Sequence, residues 1–184
     1  MHMPEYGWPQ DAYQEAFTIA AEAHKGQLLP GSDLPYLLHI SLVCVEVMAA
    51  LLNEREHDRD LAVSCALLHD VLEDTKIPRR ELKKRFGPDV AKGVQALTKN
   101  SSLPRDRRLT DSLRRIRKCP TEVWMVKLAD RITNLMPPPP HWDKSKIREY
   151  LDEARQIHAA LKDASPRLAA RLLARIEQYA AYAR

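Results

Sequence analysis

DLAVSCALLHDVLEDT, residues 60–75, sets a run of small and aliphatic side chains directly against four polar ones. The run has helical spacing and shows none of the period-two alternation of a half-buried strand. An apolar helix that suddenly carries His69, Asp70, Glu73 and Asp74 is leaving a packed interior. At about 100° per residue, His69 stands over Glu73 and Asp70 over Asp74, so the four make one polar strip. Glu73 beside Asp74 adds a repulsion that a cation, a shared proton or plain solvent must relieve. By itself the strip is either a wet helix face or the working part of a site, and this stretch leaves both open.

The same period of 3.6 continues along the chain. It predicts helices from about Gln10 to Lys25, from His39 through Glu54, from Arg79 to Phe86, from Asp89 to Thr98, and after the turn Ser101-Ser102-Leu103-Pro104. A further helix is expected over Thr121–Leu135 with Thr121 as its N-cap. The closing segments are Lys146–Asp163 and Ser165–Arg184, with Ser165-Pro166 as cap and first turn. Pro137–Pro140 stop the chain between them, and Gly87-Pro88 divides the middle pair. Five glycines in 184 residues also favour helix. The length suits one well-packed domain better than two. The expected fold is all-α, a single domain over residues 1–184 with neither a synthetase nor a regulatory part.

Composition narrows the function classes. A net charge of +4 is modest, and the densest basic stretch, Arg105–Lys118, has no interleaved aromatics or groove-reading motif. It reads as a solvated face or a rim that draws in a small polyanion, not as a nucleic-acid surface. No stretch reaches the roughly 18 apolar residues of a membrane span. MHMPEYGWPQ lacks the basic run and apolar core of an export signal, and the cysteines, Cys44, Cys65 and Cys119, are odd in number. A reduced, cytoplasmic compartment is expected. Self-association stays open, since the Leu- and Ala-rich closing helices suit either an internal core or a second chain.

Two distant residues change the reading of the strip. His39 opens a helix whose Ile40, Val43 and Val47 indicate burial, and Asp130 lies deep in TEVWMVKLADRITNL. A carboxylate in such a helix is costly unless paired or metal-bound. Lys127 and Arg131 offer an ordinary ion pair as the alternative. Together His39, His69, Asp70 and Asp130 supply two imidazoles and two carboxylates. That mixed set suits manganese, iron or zinc better than calcium, which prefers oxygen throughout. Glu73 and Asp74, one turn on, would then position water and move its proton.

With AHKGQ at 23–27, LPYLLH at 34–39, LLHDVLEDT at 67–75, RFGPDV at 85–90, VKLADRITNL at 126–135 and KIREY at 146–150, the chain resembles the HD-domain hydrolases of bacterial alarmones. These comprise stand-alone small alarmone hydrolases and the hydrolase half of Rel/Spo enzymes. The resemblance implies manganese held by His39, His69, Asp70 and Asp130, one ion per site. It implies Glu73 and Asp74 as the acidic pair that activates water against a nucleotide 3′-pyrophosphate. Asn134 and Tyr150 match nucleoside contacts, and His24 and Lys25 lie near the family's pocket. The implied reaction turns (p)ppGpp and water into GDP or GTP and pyrophosphate.

Two departures bear on the substrate. Relatives carry an Arg-Lys pair against the purine where this chain reads LLPGSDL, with Leu29-Pro30 in the basic positions. Relaxed reading of guanine then leaves room for adenine alarmones, (p)ppApp. After LTKN the family's phosphate-binding Asp-Lys pair is missing, and Lys99 is the candidate replacement, with Arg105 or Arg108 at the rim. The competing readings are another nucleotide phosphohydrolase, such as an NADPH 2′-phosphatase, and a catalytically inactive alarmone-binding protein.

Overall fold

In the computed structural model, residues 9–184 are described, and MHMPEYGW, most of the segment read above for export, lies outside them. The elements follow in the order α1 (Gln10–Ala23), α2 (Leu37–Leu51), α3 (Arg59–Leu68), α4 (Val71–Asp74), α5 (Arg79–Leu97), α6 (Arg105–Ile116), α7 (Thr121–Asn134), α8 (Lys144–Leu161) and α9 (Pro166–Tyr179). Short 3₁₀ turns follow α8 and α9. The fold is all-α, a single helical bundle. Its one departure from helix and loop among the described residues is an isolated bridge between Leu28 and Pro35, which pins the loop leading into α2.

The centre of the bundle is the mutual packing of α2, α3 and α7. Every residue of α3 from Leu61 to Leu68 is buried, including Ser64. In α7, burial runs unbroken from Met125 to Ile132 and takes Lys127, Asp130 and Arg131 inside. Charges in so enclosed a helix need partners, so α7 is where the core and any site must meet. Asp58 starts α3 by accepting from the N–H groups of Asp60 and Leu61. Ser165 caps α9 through the Leu168 N–H with Pro166 in the first turn, as its sequence indicates.

Two local expectations are corrected. The helix expected to run unbroken over residues 60–75 is interrupted at Asp70 (φ −100°, ψ −5°), and α4 is a separate turn. The His69 ring nitrogen Nδ1 lies 2.8 Å from the Ala66 carbonyl, an acceptor of the helix ladder, so side chain competes with backbone at that point. Thr75 then closes the turn, its hydroxyl donating to the Val71 carbonyl and accepting from the Ile77 N–H. Thr121 is the first residue of α7, not its cap; Pro120 holds that place without a side-chain bond. Elsewhere Gly87 (φ 83°, ψ 172°) divides α5 where Gly87-Pro88 predicts a division.

Helix α5 approaches α3 and α7 through Gly93. A Cβ there would stand 2.7 Å from Cys65 Sγ and 2.9 Å from a Val123 methyl. Gly93→Ala is therefore expected to lose about 1–3 kcal/mol through overpacking, despite the better helix propensity of alanine. Thermal and denaturant unfolding measure this, and an unchanged or raised Tm would contradict the close approach.

Candidate metal centre

The junction of α2, α3 and α7 brings His39, His69, Asp70 and Asp130 to the floor of one cavity. Nε2 of His39 lies 3.2 Å from Nε2 of His69. Asp70 Oδ2 lies 2.8 Å from the His69 nitrogen and 3.6 Å from that of His39. Asp130 Oδ1 is 3.4 Å from His39 Nε2. Ligand atoms of His39, His69 and Asp70 lie within 4.8 Å of one another, and Asp130 stands beside that trio.

The outer faces of the two rings decide what this cluster wants. His69 Nδ1 faces a carbonyl, which only accepts, so this nitrogen carries the ring proton. Thr133 donates its hydroxyl proton to the Asp130 carbonyl at 2.9 Å and leaves its oxygen to accept from His39 Nδ1 at 3.3 Å. Both neutral rings therefore present bare Nε2 lone pairs to each other and to two carboxylates. Two imidazole lone pairs with no donor between them, beside two carboxylates, fit a divalent cation, and the outer bonds fix the ring orientation a ligand needs. Without a cation, protons must take its place. Burial works against an imidazolium at His39, yet hydrogen bonds and charge from Asp130 and Asp70 outweigh it and push its pKa up to about 9. Burial likewise opposes ionisation of Asp70, and His69 and His39 outweigh it to hold that carboxyl low.

Tyr36 and Thr133 escape the sequence reading, and Asn134 takes up a contact not assigned to it there. Tyr36 donates to Asp70 Oδ2 at 2.6 Å, its ring stacked 4.9 Å from that of His24. Lys127, buried, donates to Asp130 Oδ2 at 2.8 Å, so the ion pair offered as an alternative coexists with the cluster. Asn134 donates to the other oxygen of Asp130. Helical spacing contains these signals: Tyr36 precedes His39 by three residues, Lys127 precedes Asp130 by three, and Thr133 follows it by three.

Above the floor, the cavity of about 380 Å³ is lined by Glu73, Asp74, Lys99, Arg131, Asn134 and Tyr150 among others. Glu73 is tied twice to Lys99, accepting from its N–H at 2.8 Å and from its ammonium at 2.7 Å. The pKa of Asp74 is raised by burial and by the charges of Asp70 and Glu73. Arg131 lies 4.2 Å from the centre of the Tyr150 ring, to which it presents its guanidinium. His24 is buried just behind Tyr36, Nδ1 bonded to Gln27, while Lys25 points to solvent; neither lines the cavity. An apolar cavity of similar size adjoins, sharing Pro30, Asn134 and Tyr150 and walled by Leu29, Leu34, Leu38, Leu42, Met136 and Pro137–Pro139. On the other side lies a basic one with Lys99, Arg105, Arg108 and Lys146.

A family model described as HD domain matches residues 16–172, an interval that contains His39, the His69-Asp70 doublet and Asp130. The chain belongs to the HD-domain family. Within that family it is related to the MESH1 and Rel/Spo hydrolases. It is 32% identical over 153 residues to guanosine-3′,5′-bis(diphosphate) 3′-pyrophosphohydrolase MESH1 of Danio rerio, covering 80% of this chain and 83% of that protein. GTP pyrophosphokinase rsh of Brucella melitensis is 34% identical over 127 residues, 66% of this chain but 16% of its own length. A solved structure, described as a metazoan ortholog of SpoT that hydrolyzes ppGpp, superposes with a TM-score of 0.79 at 26% identity, covering 94% of this chain and 97% of that one. This HD domain thus carries a His/His/Asp cluster able to take a divalent metal.

Manganese added to metal-stripped protein is expected to raise Tm, by the equivalent of about 2.7 kcal/mol when the ion is 100-fold above its Kd. His69→Ala should abolish that increment. Calorimetric scans with and without the ion provide the comparison, and equal Tm values for the wild-type protein would rule out manganese at this cluster.

Proposed function

We propose that this HD domain is a manganese-dependent hydrolase that removes the 3′-pyrophosphate of guanosine or adenosine alarmones, (p)ppGpp and (p)ppApp. The observation that carries the reading is the convergence of bare His39 and His69 lone pairs with Asp70 and Asp130, beneath a wall bearing Glu73, Asp74 and Lys99. The names of the MESH1 relatives, which specify a guanosine 3′-pyrophosphohydrolase, support the substrate class. His39, His69, Asp70 and Asp130 hold the ion. Bound there, a divalent ion lowers the pKa of water and polarises the phosphoryl group under attack.

The protein's own groups divide the remaining work. Asp74, whose pKa burial and the neighbouring carboxylates raise, lines the cavity and takes the proton from the attacking water. Glu73 fixes Lys99 at the cavity wall, where the ammonium faces phosphate charge. Water oxygen bonds to the phosphorus next to O3′, the O3′–P bond breaks, and pyrophosphate leaves as O3′ gains a proton. Asn134 and Tyr150 sit where the cavity passes into its apolar neighbour, a position suited to the nucleoside. His24 stacks behind Tyr36, and Lys25 is exposed outside the cavity lining, at the rim of the same loop as Gln27.

The apolar wall favours a second substrate beside guanosine alarmones. Leu29, Pro30, Leu34 and Met136 provide area for a purine, and the short side chains of Ser32, Thr133 and Asn134 are the polar groups beside them, with no Arg or Lys to engage guanine O6. A site that does not engage that oxygen does not reject a base lacking it. Side-by-side turnover of ppGpp, ppApp and NADPH with manganese, products identified, tests the proposal. Pyrophosphate from both alarmones is expected. Phosphate from NADPH alone, or turnover of none, would overturn it. Asp74→Asn should lower kcat by about 10²–10⁴-fold while manganese binding persists, as expected for loss of a general base.

A further inference from the structure

Apart from His39, Ser41 and Glu46, helix α2 is apolar. Its inner face, with Ile40, Val43, Val47, Ala50 and Leu51, belongs to the core. Its outer face carries Leu38, Leu42, Val45, Ala49 and, in the helical backbone just past its end, Leu52 (φ −60°, ψ −34°). The spacing alternates between four and three residues, which is the heptad seam of two paired helices. A helix apolar all round is normally buried all round. Here Val45 is 60% and Leu52 69% exposed, and Leu38, Leu42 and Met48 are also open to solvent.

We infer that this face of α2 is where two copies of the chain meet, helix against helix about a two-fold axis near Val45. Three observations favour a second copy as the occupant. Leu38, Leu42, Val45, Met48 and Leu52 expose on the order of 400 Å² of contiguous surface, enough for the apolar centre of an interface to which each partner gives roughly 800 Å². A self-complementary contact must not oppose like charges, and the single charged residue of α2, Glu46, is turned aside into an ion pair with Arg171 of α9. A lipid surface would call for unpaired Lys or Arg flanking the stripe; α2 has neither, and Arg171 beside it is neutralised by Glu46. The stripe also begins at Leu38 and Leu42, which wall the apolar cavity, so a partner seated there closes that cavity from outside. The pairing stands independently of the reaction proposed above.

Sedimentation of the full chain over a range of concentrations tests this. A dimer is expected, and Val45→Glu and Leu52→Glu, both away from the cavities, should each weaken it on the order of 100-fold. Their far-ultraviolet spectra and Tm should match the wild type, since these side chains lie outside the core. As an independent measure, Val45→Cys in a Cys119→Ser background should give a disulfide-linked dimer on mild oxidation, because the remaining Cys44 and Cys65 are buried. A wild-type monomer at 100-fold the assay concentration would overturn the proposal, as would a dimer indifferent to both glutamates. Monomer that instead binds neutral phospholipid vesicles through the same face would overturn it in favour of a membrane.

Discussion

Two imidazole nitrogens 3.2 Å apart, each with its proton drawn to the far side of its ring, impose the condition that organises this molecule. Lone pairs do not face each other in a protein interior unless something positive stands between them. Asp70 and Asp130 deepen the demand by adding negative charge at the same point. Burial sharpens it further, because water cannot screen the cluster. The surrounding groups serve this arrangement: Thr133 and the Ala66 carbonyl set the rings, while Tyr36, Lys127 and Asn134 hold the carboxylates.

The break at Asp70 is part of the same design. Ending α3 there lets His69 keep its ring inside the bundle while the chain changes direction before Glu73 and Asp74. Those two carboxylates then stand on a separate turn, at the cavity wall and not on the floor. Their environments differ accordingly. Glu73 spends its acceptors on Lys99, whereas Asp74 sits among negative neighbours that raise its pKa. Adjacent carboxylates are thereby given different surroundings, one ion-paired and one with its pKa raised, the kind of separation by which two carboxylates can take different roles.

Recognition is distributed differently from chemistry. The metal-binding floor is built from the central helices α2, α3 and α7, and it inherits their rigidity. The surfaces that would meet a nucleotide come from the Leu28–Pro35 loop, the proline segment and α8. Such connecting segments carry specificity in many folds because they vary without disturbing the core. In this chain the loop beside the cavity presents Leu29, Pro30 and Leu34 to it, apart from the helices that carry the cluster.

The sequence by itself determined the helical class, most helix boundaries, the division at Gly87, and the four residues from three helices that form the cluster. Periodicity and breaker residues suffice for the first three, since both are encoded locally; the four site residues rest on the cost of a buried charge together with the resemblance to the HD-domain hydrolases. The tertiary structure alone decided that the Lys127–Asp130 ion pair and the cluster coexist, that Tyr36 reaches Asp70, and that Lys25 turns away. It also decided that the run through His69 breaks, because a ring-to-carbonyl bond competes with the helix ladder only when the ring is held inward. The outer stripe of α2 is plain in the letters, but an apolar helix face reads the same whether a core or another molecule covers it. Only the packing of neighbouring helices shows which side of α2 was left open.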